Sequence, residues 1–175
     1  GASLKIAAIQ MTSGLSVDHN LDTTARLLAQ AAAGGAVLAV LPENFALMAR
    51  QERDKRAIAE EDGRGPVQDK LAELASRLRL TLVAGTFPLR VPGETRVAAA
   101  SLVYGPDGTR LGRYDKIHLF DVSVPGASES HRESAGMVPG REVGVVPTPA
   151  GRVGVAVCYD LRFPELFRRM SQLGA

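Results

Sequence analysis

The 175-residue chain predicts an α/β fold, a sheet whose faces are covered by helices. Short apolar, β-branched runs alternate along the chain with segments whose apolar residues recur at helical spacing. The runs 36–41 and 153–157 are apolar throughout, as strands buried in a covered sheet are. About seven strand candidates stand against three or four helices, so this chain's helices leave some sheet surface uncovered.

Residues 5–11 form the first predicted strand. A helix start follows at 16–18, and Leu21, Ala25, Leu28 and Ala32 make an apolar stripe until Gly34-Gly35 stops it. Residues 36–41 are a second, buried strand. The mixed-sign segment 50–56 is a solvated helix face. Gly65-Pro66 precedes a helix in which Val67, Leu71, Leu74 and Leu78 align as core packing. Residues 81–89, 98–104 and 110–119 are further strands, with Gly105-Pro106-Asp107-Gly108 as the turn between the last two. The stretch 123–140 is polar, rich in Gly and Pro, and of a length that usually carries function. Strands at 143–146 and 152–157 complete the list, and Pro164 suits the first turn of a helix after Cys158. Leu173-Gly174-Ala175 closes the chain, with Gly174 as a helix C-cap.

Three chemically distinct side chains stand at or just past the ends of strand candidates. Glu43 follows the run 36–42, Lys116 lies within the strand after Asp115, and Cys158, the one cysteine, ends the run 153–157 at a strand-to-helix turn. Singly, each has a structural explanation: a capping carboxylate, a solvated charge and a small buried hydrophobe. Together they are informative, because ligands of open α/β sheets bind beyond the carboxyl ends of the strands. A thiol there has backbone N–H groups nearby to stabilise an oxyanion.

Composition excludes several classes. A net charge of +2, without basic clusters interleaved with aromatics, argues against nucleic acid as a partner. One cysteine excludes an internal disulfide, so the cytoplasm is the expected compartment. No membrane-length apolar span is present, and the opening Gly1-Ala2-Ser3 suggests a trimmed or tagged start. No His/Cys spacing resembles a metal site: His19 belongs to a surface helix, His131 to the 123–140 loop, and His118 to the strand after Lys116, so no metal and no cofactor are expected. Position 164, six after Cys158, is proline where a cysteine phosphatase needs arginine, and the glycines of 61–65 lack the context of a phosphate-binding loop.

The segments Leu41-Pro42-Glu43-Asn44, Tyr114-Asp115-Lys116-Ile117-His118-Leu119-Phe120-Asp121 and Val155-Ala156-Val157-Cys158-Tyr159-Asp160-Leu161-Arg162-Phe163-Pro164-Glu165 resemble, in order, the three catalytic signatures of the nitrilase superfamily of carbon–nitrogen hydrolases. The similarity runs from Lys5 to the end, and Val124-Pro125-Gly126 with Arg132-Glu133-Ser134 resembles the Nit amidase branch. The resemblance implies a four-layer α-β-β-α sandwich, truncated here, with residues 1–175 as one hydrolase domain lacking its C-terminal portion. It implies hydrolysis of a small amide, an ω-amide of a 2-oxo acid or deaminated glutathione, and a homo-oligomer when complete.

By the same resemblance, Cys158 is the nucleophile, Glu43 the general base and acid, and Lys116 with the Tyr159 N–H the oxyanion donors, while Glu133 aligns with a second glutamate beside the lysine. Arg162 either pairs with Asp160 or Glu165 or binds a substrate carboxylate bidentately. Two other readings stay open: the same triad acting on a nitrile or carbamoyl group, and a non-catalytic assembly module. A chain missing strands beside the cysteine strand would expose sheet edges and associate.

Overall fold

A computed structural model describes residues 5–115, together with 121–122, 131–132, 137–138, 144–149 and 151–155. In chain order the elements are β1 (Ile6–Ala8), α1 (Val17–Ala33), β2 (Leu38–Val40), α2 (Glu52–Ile58), α3 (Pro66–Leu78), β3 (Thr81–Arg90), β4 (Val97–Tyr104) and β5 (Arg110–Asp115). They are followed by β6 (Asp121–Val122), β7 (His131–Arg132), β8 (Met137–Val138), β9 (Gly144–Thr148) and β10 (Gly151–Val155).

The main sheet runs β1-β2-β3-β4-β5. β1, β2 and β3 are parallel, in the register Ala7↔Ala39 and Ala39↔Leu82, whereas β4 is antiparallel to both β3 and β5. β2, β3 and β5 therefore run the same way and end at the same edge. The strands after β5 form the hairpin β9–β10, the pair β6–β7, and β8, which lies parallel to β4 at Val97 and Ala98 beyond the stretch that β5 occupies.

Each helix forms for local reasons. Ser16 caps α1 by accepting the His19 N–H at 3.3 Å, Gly34 ends it, and α3 begins with Pro66, whose missing N–H costs nothing there. The α3 cap is remote. The buried Glu60 carboxylate accepts the Val67 and Gln68 N–H groups at 2.8 and 3.1 Å, and a Cβ on Gly65 would lie 2.3 Å from its Cδ.

The core lies between the sheet and α1 with α3, where Leu28, Leu71, Leu74, Leu82, Phe87 and Leu102 are all inaccessible to solvent. Burying one such side chain contributes about 1.5–3 kcal/mol. Val40, Val83, Val103 and Tyr114 form a second cluster on the opposite face. β3 and β4 are accordingly buried along nearly their whole length.

Several sequence expectations change. The first strand is three residues, not seven, because β2 ends at Val40 and Pro42 has no N–H to continue the ladder. Leu28 of the predicted stripe is fully buried and Leu21, Ala25 and Ala32 pack against the core half-buried, but the other fully buried positions of α1 are the polar Asn20 and Thr24, which can be buried because their polar atoms are bonded. β7 and β8 fall inside the predicted 123–140 loop, so His131 opens a strand. Two-residue pairings need backbone partners, not an apolar pattern, which is why the composition hid them.

Candidate functional site

Glu43 follows β2 by three residues, in a loop whose backbone is held from both sides. The Leu41 N–H donates to the Val83 carbonyl at 2.8 Å, keeping the chain in the sheet for one more residue. Pro42 then turns onto β3. Its carbonyl oxygen occupies the space where a side chain at Gly85 would be, 1.9 Å from an ideal Cβ. Asn44 adopts φ 55°, and its N–H donates to Thr86 Oγ1 at 3.1 Å. Phe45 and Ala46 are buried, and the Phe45 ring lies 6.3 Å from that of Phe87 at a tilt of 39°.

The opposite side of the loop is fastened by Ser13, just before α1, and by Asn20 in its first turns. Ser13 Oγ donates to the Phe45 carbonyl at 3.0 Å. Asn20, 1% exposed, donates from Nδ2 to Ala46 O at 2.8 Å and Gly14 O at 3.0 Å, while its Oδ1 accepts the Gly14 N–H at 2.8 Å. Buried amides so fully used fix geometry, because any displacement leaves a polar group unpaired. Glu43 itself is half-buried.

β5 ends at Asp115, directly before Lys116. Arg113 binds the Asp115 carboxylate through both Nε and Nη2, at 2.6 and 3.0 Å, and reaches Asp62 at 3.2 Å; Arg110 pairs with Asp62 as well. Burial pushes the Asp62 carboxyl up, but the hydrogen bond and charge of Arg110, followed by those of Arg113, outweigh it and hold it below its ordinary 3.8. Burial likewise opposes the Arg113 charge, and Asp115 and Asp62 more than offset that. The segment between α2 and α3 is thus bonded to the strand that leads into Lys116.

Of the residues the sequence singled out, Glu43 is placed at the carboxyl edge of the sheet, as expected. Lys116, Glu133, Cys158, Tyr159, Arg162 and His118 lie outside the described residues. Thr86, Asn20 and Ser13 went unnoticed in the sequence. The available signal was Gly85, a glycine inside a largely apolar strand, which marks a bulge or a close backbone approach. A depression of about 1220 Å³ beside β5 is lined by Arg56, Asp62, Arg90, Arg96, Arg113 and Asp115 among others, with both signs of charge. Its lining includes Arg90 and Asp115, the last residues of β3 and β5, but not Glu43. Among the described residues, no three His, Cys, Asp or Glu side chains are grouped to hold a metal ion, and no helix is long and apolar enough to cross a membrane.

Comparison with known proteins places this arrangement in context. The chain is 39% identical over 174 residues to the deaminated glutathione amidase of Synechocystis, covering 97% of this chain and 62% of the relative. It is 34% identical to the omega-amidase NIT2 of Homo sapiens, covering 98% of this chain and 60% of that protein. The chain thus spans roughly three fifths of the curated relatives it matches. Among solved structures, the C. elegans NitFhit protein superposes with a TM-score of 0.85 at 30% identity, over 97% of this chain and 41% of that one. An amidase from Nesterenkonia sp. AN1, seen with acrylamide added at its active-site cysteine, gives 0.81 at 26% identity over 99% and 64% of the two chains. The carbon–nitrogen hydrolase family matches residues 5–175, nearly the full chain, and the mixed sheet with its covering helices is the nitrilase-type fold. This chain belongs to the carbon–nitrogen hydrolase family.

Proposed function

We propose that this chain is the N-terminal portion of a cysteine-dependent amidohydrolase that converts a small amide, an ω-amide of a 2-oxo acid or deaminated glutathione, to its acid and ammonia. The observation that carries the reading is the common direction of β2 and β5, which brings Glu43 and the strand leading to Lys116 to one sheet edge. The Glu43 loop leans onto β3, leaving two strand spacings, about 10 Å, to β5. A glutamate and a long, flexible lysine side chain together span such a gap. The relatives named as amidases and the cysteine of the Nesterenkonia enzyme support the same chemistry.

In this mechanism Glu43 takes the thiol proton, and Cys158 Sγ attacks the amide carbon. A free thiol titrates at about 8.5, and a neighbouring ammonium favours its thiolate. The π electrons of the carbonyl move to oxygen, where Lys116 and the Tyr159 N–H stabilise the oxyanion. Its collapse breaks the C–N bond, and Glu43 returns the proton to departing ammonia. Glu43 then deprotonates a water that attacks the thioester, the C–S bond breaks, and the thiol is regenerated with release of the acid. Glu133 holds Lys116 charged and oriented, and Arg162 binds the substrate carboxylate. The 175-residue chain alone, lacking the remainder of its relatives' length, turns over at background rates.

The test uses the full-length protein. Cys158→Ala is expected to abolish ammonia release from an ω-amide, and the acyl adduct seen by intact mass on wild-type protein should vanish with it. Lys116→Ala should reduce turnover at least about 100-fold, the scale of losing an oxyanion donor. Near-normal turnover in either variant removes the mechanism.

A further inference from the structure

β3 breaks register with β4 between Ala84, opposite Leu102, and Phe87, opposite Ala100, so one extra residue is inserted at Gly85-Thr86. A bulge of this kind re-aims side chains at the cost of ladder pairing. Here both bulge residues face the Glu43 loop. Gly85 makes room for the Pro42 carbonyl, and the hydroxyl of Thr86, a residue only 1% exposed, accepts the N–H of Asn44. That partner matters because Asn44 holds φ 55°, a left-handed conformation that costs energy for residues with a Cβ, though less for Asn than for most. The two contacts flank Glu43 on either side, at residues 42 and 44.

We infer that Thr86 is a positioning residue for Glu43: its hydroxyl holds Asn44 in the left-handed conformation and thereby aims the carboxylate. The inference rests on the reading of Glu43 as general base. Without the Oγ1 acceptor, the Asn44 N–H is left unpaired against β3 and the peptide can rotate toward ordinary φ, swinging Glu43 away from its direction. A misplacement of about 1 Å in a catalytic group lowers turnover by up to about 100-fold.

The experiment compares Thr86→Val, which keeps the shape and removes the acceptor, with Thr86→Ser, which keeps the acceptor, in the full-length protein acting on an ω-amide. Turnover is expressed per alkylatable Cys158, so that misfolded molecules do not count. Thr86→Val is expected to lower kcat about 10- to 100-fold with KM within about twofold of wild type, and Thr86→Ser to restore kcat to within about threefold. A wild-type kcat in Thr86→Val, or equal losses in the Val and Ser variants, overturns the inference. If Thr86→Val does not fold, Thr86→Ala carries the same comparison against Ser. Glu43→Gln separates the two levels. If it is inactive while Thr86→Val is active, the positioning role alone fails; if it is fully active, the general-base reading falls and the inference with it.

Discussion

Gly85→Ala puts the packing of the Glu43 loop under direct strain. The new Cβ would lie 1.9 Å from Pro42 O, 2.3 Å from Pro42 C and 2.4 Å from Leu41 O, all backbone atoms that cannot swing aside. Opening the first contact from 1.9 Å to even 3.0 Å moves β3 and the loop apart by about 1.1 Å. Overpacking of this kind costs about 1–3 kcal/mol. The same movement stretches the Leu41–Val83 and Asn44–Thr86 hydrogen bonds, each worth about 0.5–1.5 kcal/mol. A total of about 2–6 kcal/mol corresponds to a fall in Tm of about 4–12 °C at about 2 °C per kcal/mol. Urea unfolding and thermal melts of the full-length protein measure this, and ammonia release should drop about 100-fold as Glu43 is displaced. Gly14→Ala is the control: its Cβ would sit 3.7 Å from Asn20 Oδ1, an ordinary contact, so stability should change by less than about 1 kcal/mol. Equal stability and activity in the two variants would refute the close-approach argument.

Two further outcomes follow from the polar network. Asn20→Ala leaves the Gly14 N–H and the Ala46 carbonyl without the side chain that bonds them, and should lower stability by about 2–4 kcal/mol in urea titrations; a loss under about 0.5 kcal/mol would show that the clamp is dispensable. Asp62, whose carboxyl is held below 3.8 by Arg110 and Arg113 against the opposing effect of burial, contributes stability that is present above about pH 4 and lost as pH falls through its lowered value. The urea midpoint of Asp62→Asn should therefore decline less steeply than wild type between about pH 4 and pH 2, and identical acid profiles would contradict the pairing.

What the sequence determined by itself is local. The caps of α1 at Ser16 and Gly34, the Val67-Leu71-Leu74 stripe of α3, the turn at 105–108 and the position of Glu43 past a buried strand all depend on neighbours within a few residues. The family, too, was legible, because its three short signatures are contiguous segments. For Lys116, Glu133, Cys158, Tyr159 and Arg162, which lie outside the described residues, sequence remains the source of their assignment. Tertiary structure decided the rest. Polar Asn20 and Thr24 share full burial on α1 with Leu28, because their bonding partners come from the helix itself and from loops up to 26 residues away. Glu60 caps a helix that begins six residues later, and Thr86 supports a peptide 42 residues earlier in the chain. Hydrophobic periodicity records which face of an element is buried, but a hydrogen bond between distant segments leaves no period in either one, and only folding brings donor and acceptor together.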